Sequence, residues 1–283
     1  MIRKILGRSL ATLAIGTLAF AAQDGVPLPV VKEPAIHIYR VDMLRDRGIM
    51  GAGDLDVGQF EALVVDSNSG RIAYAVVSQG GAFGLGERKR LVPWIALYFS
   101  VVPSKDGDDC EIRTLLTKEQ VEDCPKFKQG ELISADNECS AFKAAKLPQD
   151  QNIGEGTPER LLCSLDIANC AVRDNSKLGI GKIERLLVDP FEGCVAYTVL
   201  NMDDKLIALP WQVTRASLDK ERKLSLTTSV TKKSLAEAPR YFEDEWKRMT
   251  SSTWLHALAT FHGVAPYWVR TTPAANEPAG QQR

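Results

Sequence analysis

The sequence predicts a mainly β protein built from two small β modules in tandem, each followed by a short helical segment. Three observations carry this. Gly58–Val77 (GQFEALVVDSNSGRIAYAVV) and Gly181–Leu200 (GKIERLLVDPFEGCVAYTVL) align without gaps, and nine of twenty positions are identical. A Pro-Trp pair then recurs inside an apolar run, RLVPWIAL at Arg90–Leu97 and LIALPWQV at Leu206–Val213. The first copy reaches it six residues later because of the insertion GGAFGLGERK. Each copy also ends alike, Glu111–Phe127 against Lys223–Phe242, as a strand, a short helix, then Pro and an aromatic residue. A unit of roughly 115 residues is too long for a solenoid period and implies two compact domains.

Met1–Ala22 carries Arg3, Lys4 and Arg8 before an apolar run, Leu10–Ala22, that ends in small residues. This is the layout of a secretory signal peptide, and the run is shorter than the roughly twenty residues of a comfortable membrane span. Export with cleavage is expected, and retention as an N-terminal anchor is the alternative. The expected organisation is a signal peptide over 1–22, a first unit over 36–147, a linker over 148–158 (from the Gly, Asn and Pro of QDQNIGEGTP), a second unit over 159–268 and a disordered tail over 269–283.

Phe60–Val65 and Ile72–Ser78 are apolar runs rich in β-branched residues, and Ile183–Val188 and Val195–Leu200 repeat them. Asp66 and Asp189 open the two turns and Gly70 and Gly193 close them, with Pro190 presetting φ in the second. Recurrence alone would make the two aspartates candidate catalytic carboxylates, but Asp at the head of a turn accepts hydrogen bonds from the amides of that turn. Glu61 and Glu184 recur before the turn and Tyr74 and Tyr197 after it, and each Glu is expected to face solvent or to bond across the hairpin. Gly58 and Gly181 open the repeat. Trp94 and Trp211, after Pro93 and Pro210, read as aromatic plugs of a small barrel, with a ligand platform as the alternative. Thr117–Asp123 reads as a short helix. Asp244–Phe261 places Trp246, Met249, Trp254, Ala257, Leu258 and Phe261 at helical spacing, a stripe suited to docking on the barrel or to a partner or membrane surface.

Composition narrows function. The formal charge is −1, and the longest basic cluster is Arg88–Arg90, so a nucleic-acid binder is not expected. The six cysteines (110, 124, 139, 163, 170, 194) suit disulfides such as Cys139–Cys163, or buried thiols. No C-x-x-C appears, so no metal site is expected. No cofactor motif is present: GGAFGLG has its glycines in the wrong order for a dinucleotide site. His37, His256 and His262 lie outside the repeat, and no G-x-S-x-G, P-loop or H-E-x-x-H occurs, so an enzyme is not expected.

GxxExLVxD at Gly58–Asp66, a turn ending in Gly70, RIAYAVVS, the Gly-rich hairpin Gly80–Gly86 and LVPW together resemble the PRC-barrel domain family. That family is named for the cytoplasmic part of the photosynthetic reaction-centre H subunit and is found also in a bacterial ribosome-maturation factor. The likeness covers about Val41–Val101 and Leu165–Leu218, and APRYFEDEW at Ala238–Trp246 is similar to the segment that follows the barrel in free-standing bacterial members. The resemblance implies a small, strongly bent antiparallel barrel in each unit that holds partner proteins, and it brings no catalytic residues. A signal-like leader and two barrels depart from both named relatives. The expected function is therefore a non-catalytic protein-interaction or envelope-associated scaffold with an unidentified protein partner and no membrane span after cleavage. A small-ligand or ion sensor, using the groove between the barrels or the Gly80–Glu87 hairpin, is the alternative.

Overall fold

A computed structural model describes residues 35–80, 88–104, 107–131, 133, 135–147, 161–218 and 223–269. The leader, the 148–158 linker, most of the Gly80–Glu87 hairpin and all but the first residue of the 269–283 tail lie outside these. The first repeat runs β1 (Tyr39–Arg40), α1 (Val41–Leu44), β2 (Gly48–Met50), β3 (Asp56–Asp66), β4 (Ile72–Gln79), β5 (Arg88–Pro93), a 3-10 turn at Trp94–Ala96, β6 (Leu97–Ser104), β7 (Gly107–Thr114), α2 (Lys118–Asp123) and α3 (Ala135–Ala144). The second follows the same plan with β8 (Leu161–Cys163), α4 (Ser164–Ile167), β9 (Ala171–Arg173), β10 (Gly179–Asp189), β11 (Cys194–Met202), β12 (Lys205–Pro210), a 3-10 turn at Trp211–Val213, β13 (Thr214–Leu218), β14 (Leu224–Thr228), α5 (Lys232–Leu235) and α6 (Ser252–His262).

Two seven-stranded sheets result, with matching orders β5-β4-β3-β2-β7-β6 and β12-β11-β10-β9-β14-β13. Pairing is antiparallel except at β2–β7 and β9–β14, which are parallel. The curl has a local cause. The β3–β4 ladder slips between Phe60 and Ala62, and β10–β11 slips between Ile183 and Arg185, so the recurring Glu61 and Glu184 are bulge residues, and a bulge bends and twists its strand. Gly58 and Gly181 serve the same bend: a Cβ would lie 2.5 Å from the Ser78 carbonyl oxygen at the first and 2.1 Å from that of Asn201 at the second.

The seventh strand of each sheet comes from the other repeat. β1 pairs with β10 (Tyr39 opposite Val188, Arg40 opposite Leu187), and β8 pairs with β3 (Cys163 opposite Val64, Leu162 opposite Val65). The repeats thus exchange their leading strands reciprocally, and Ala35 onward forms one compact unit. One apolar core runs through both barrels, joining Phe60, Ile112 and Trp94 of the first to Ile183, Leu226 and Trp211 of the second. Helices cover the outer sheet faces. Phe142 of α3 meets Tyr74 edge-on at 6.2 Å over the first barrel, and Trp254 of α6 lies 5.4 Å from Tyr197 over the second.

The C-terminal stripe differs from expectation. A 3-10 helix at Glu243–Thr250 stops at Ser251, whose ψ of 145° breaks the path and whose hydroxyl caps α6 by accepting from the Trp254 amide. The break re-phases the buried face to Met249, Leu255, Leu258 and Ala259, leaving Ala257 and Phe261 exposed. At Thr117, by contrast, a complete capping box with Gln120 opens α2 where the sequence places a helix.

Candidate functional site at the junction of the barrels

Most of the recurring residues converge where the two hairpin turns meet. Asp66 is buried, and its Oδ1 accepts from the amides of Asn68 (3.0 Å) and Ser69 (2.8 Å) and from the Ser69 hydroxyl (2.9 Å). Asp189 Oδ1 accepts from Phe191 N (3.1 Å) and Glu192 N (3.2 Å), and its Oδ2 accepts from the Tyr267 hydroxyl at 2.9 Å. Burial raises the Asp189 carboxyl above its ordinary range against the pull of these donors. Both aspartates therefore hold their own turns together.

The turns are held against each other by a matched pair of backbone bonds, Ile72 N to Gly193 O and Val195 N to Gly70 O, each 2.8 Å, around an Arg71–Cys194 bridge. The tryptophans close the junction from both sides. The Trp211 indole packs on Gly70 and donates to Ser67 O at 3.2 Å; the Trp94 indole packs on Gly193. Gly70 (φ 73°) and Gly193 (φ 64°) need the left-handed conformation and also the missing Cβ, since a Cβ on Gly70 would sit 2.5 Å from Trp211 Cδ1. Pro93 and Pro210 end β5 and β12 and lead into the 3-10 turns that present the indoles. Trp94 is 8% exposed and Trp211 2%, so both rings are core, and each plugs the seam with the other barrel.

The remaining recurring residues lie apart from the junction. Glu61 pairs with Lys89 at 2.8 Å and Arg45 at 3.2 Å; burial alone would raise its carboxyl, but the two cations outweigh this and hold it below the usual range. Glu184 lies 3.6 Å from Arg185. The buried Tyr197 hydroxyl donates to Met249 O at 3.3 Å, and Tyr74 is buried under α3. Arg40 of the exchanged β1 pairs with Asp42 and Glu243, and Arg185 of β10 reaches Glu243 at 3.6 Å, an ionic stitch between leading strand, second barrel and C-terminal segment. Only the fold reveals this stitch, because its members are spread from residue 40 to residue 243.

The three histidines sit apart: His37 against Phe191, His256 against Trp268, and His262 Nε2 3.3 Å from Ala208 O. Among the described residues no cluster of His, Cys, Asp and Glu could hold a metal. Cys110, Cys124, Cys163, Cys170 and Cys194 are free thiols. The Cys139–Cys163 cross-link is therefore not formed, because β8 buries Cys163 against β3, opposite Val64, in an apolar cluster. Burial pushes these thiols up, to about 11 at Cys110 and about 12 at Cys124, Cys163 and Cys194. An open groove of about 470 Å³ runs between Phe127 and Ile133 of the first repeat and Leu162, Cys163, Lys182 and Leu224 of the second. Among the described residues no helix is long and apolar enough to cross a membrane.

Residues 37–114, from just before β1 to the end of β7, match the family model of the PRC-barrel domain. No curated protein matches the chain.

Proposed function

We propose that this PRC-barrel protein is a non-catalytic scaffold that holds a protein partner at the cell envelope. The observation that carries the reading is where the recurring polar and aromatic residues are used: Asp66, Asp189, Trp94 and Trp211 are engaged in turns and in the seam, so the repeat builds a rigid double barrel. A rigid core leaves its outer surfaces for recognition. The signal-like leader supports a partner outside the cytoplasm or, with the leader retained as an anchor, at the membrane. The test is capture of the chain, tagged after Arg283 and lightly cross-linked in its native cell, from soluble extracytoplasmic and membrane fractions. Reproducible recovery of one protein complex supports the scaffold. A monomer with no partner in either fraction refutes it.

The groove of about 470 Å³, lined by both repeats, favours a second reading as a small-ligand or ion sensor. A metabolite that raises the Tm of the purified chain in the absence of any protein partner would select this reading.

A further inference from the structure

Residues 250–269 (TSSTWLHALATFHGVAPYWV) contain no Asp, Glu, Lys or Arg, where a composition of 25% charged residues would place about five. The segment lies on the outside of the second barrel. α6 buries Leu255, Leu258 and Ala259, and its outward positions are Thr253, His256, Ala257, Thr260 and Phe261. A surface helix of a globular protein ordinarily carries charge on its outer face, and this one carries none.

The aromatic distribution points the same way. Of the five tryptophans, Trp94 and Trp211 are in the core, and the other three, Trp246, Trp254 and Trp268, are half-buried in this C-terminal cover. Phe242 (52%), Phe261 (38%) and Val269 (46%) are exposed around them. Trp254 and Trp268 lie within the uncharged stretch, and Trp246 and Phe242 border it beside Glu243, Asp244 and Glu245. Half-buried indoles with exposed apolar neighbours match the interfacial region of a bilayer, where amphipathic rings are stable.

With the leader retained as an N-terminal anchor, the chain's own entry point favours a membrane as occupant. Ile36, His37 and Ile38 line a small cavity of about 200 Å³ together with Trp246, Lys247 and Thr250, so the polypeptide enters the described structure beside this face. The apolar run Leu10–Ala22 precedes that entry by only twelve residues. Even fully extended, such a connection spans no more than about 45 Å. Lys247 and Arg248 border the uncharged stretch together with Glu243, Asp244 and Glu245, and Arg248 pairs with Glu245, so the apolar and aromatic groups rather than net charge carry the docking.

We propose that this uncharged, Trp-bearing face of the second barrel lies on a phospholipid membrane surface. The proposal concerns the orientation of the chain and is independent of which protein the barrels hold. The test uses the full chain with mixed phosphatidylcholine and phosphatidylglycerol vesicles, and follows tryptophan emission while brominated lipid replaces normal lipid. Blue-shifted, bromine-quenched emission is expected, because Trp254 and Trp268 lie on the docking face and Trp246 at its border. Ala257→Glu combined with Phe261→Glu places two charges at exposed positions; it is expected to leave the circular dichroism and Tm of the free chain unchanged and to reduce face-dependent quenching by roughly tenfold. The N-terminal run is present in both chains, so sedimentation through that run alone would leave the tryptophans unquenched and overturn the proposal. Equal quenching of wild type and double variant would also overturn it, as would capture only by vesicles that contain membrane protein.

Discussion

The seam between the barrels makes a quantitative prediction from the two turn glycines. Gly70→Ala and Gly193→Ala place the same methyl group at equivalent left-handed positions, and the backbone cost of a non-Gly residue there is about 1–2 kcal/mol in each case. They differ in what the methyl meets. At Gly70 the added carbon lies 2.5 Å from Trp211 Cδ1, 3.0 Å from Cγ and 3.1 Å from Nε1. That ring is buried and tethered to Ser67 O, so it has little room to yield. Overpacking of this kind adds about 1–3 kcal/mol. At Gly193 the nearest atoms, Trp94 Nε1 and Cδ1, are 3.1 and 3.2 Å away, which a small shift absorbs. Urea unfolding should therefore show Gly70→Ala less stable than wild type by about 2–5 kcal/mol and Gly193→Ala by about 1–2 kcal/mol. In a Trp211→Ala background, itself less stable by about 3–5 kcal/mol, Gly70→Ala should cost only the backbone share. The coupling is then about 1–3 kcal/mol. Equal costs for the two glycines, or additivity of Gly70→Ala with Trp211→Ala, would refute the seam as described.

Four further outcomes follow from the same geometry. Glu61 has a folded pKa below its unfolded value, so its stabilising share is present above pH ~4.3 and is lost as pH falls through the folded pKa; Glu61→Gln should flatten stability-versus-pH curves on the acid side. Asp189, raised by burial, has the opposite sign: its share is complete below pH ~3.9 and is lost as pH rises through the folded pKa, and a pH series on Asp189→Asn should lack that loss. The five described thiols are deeply or partly buried with raised pKa values, so a disulfide reagent at pH ~8 should label them only on unfolding, and rapid native labelling of Cys163 or Cys194 would contradict their packing. Because β1 and β8 are exchanged, a full chain cut at a protease site introduced between residues 148 and 158 should keep both pieces together on gel filtration until denaturant is added; separation in native buffer would show the exchange to be too weak to join them.

The sequence by itself determined the repeat, the two hairpins and the chemistry of their turns, because each of these is local. Asp66 and Gly70 lie within one turn, a helix cap such as Thr117 needs only Gln120 three residues on, and β-branched runs declare strands over five or six positions. The likeness to a PRC barrel rested on the same short-range pattern, and the family match falls on residues 37–114. Tertiary structure decided the rest. A two-residue strand such as Tyr39–Arg40 has no period to detect, so its partner could be fixed only by the free edge of the distant β10. Glu61 and Glu184 carry no mark of a bulge, since the slip arises from pairing with β4 and β11. The stripe at 244–261 keeps helical spacing on paper, yet Ser251 takes an extended ψ that lets Met249 and Leu255 both reach the barrel. Trp94 and Trp211 announced burial through their apolar surroundings, but what each ring packs against, the turn glycine of the other repeat more than ninety residues away, follows from the exchange of strands that holds the two barrels face to face.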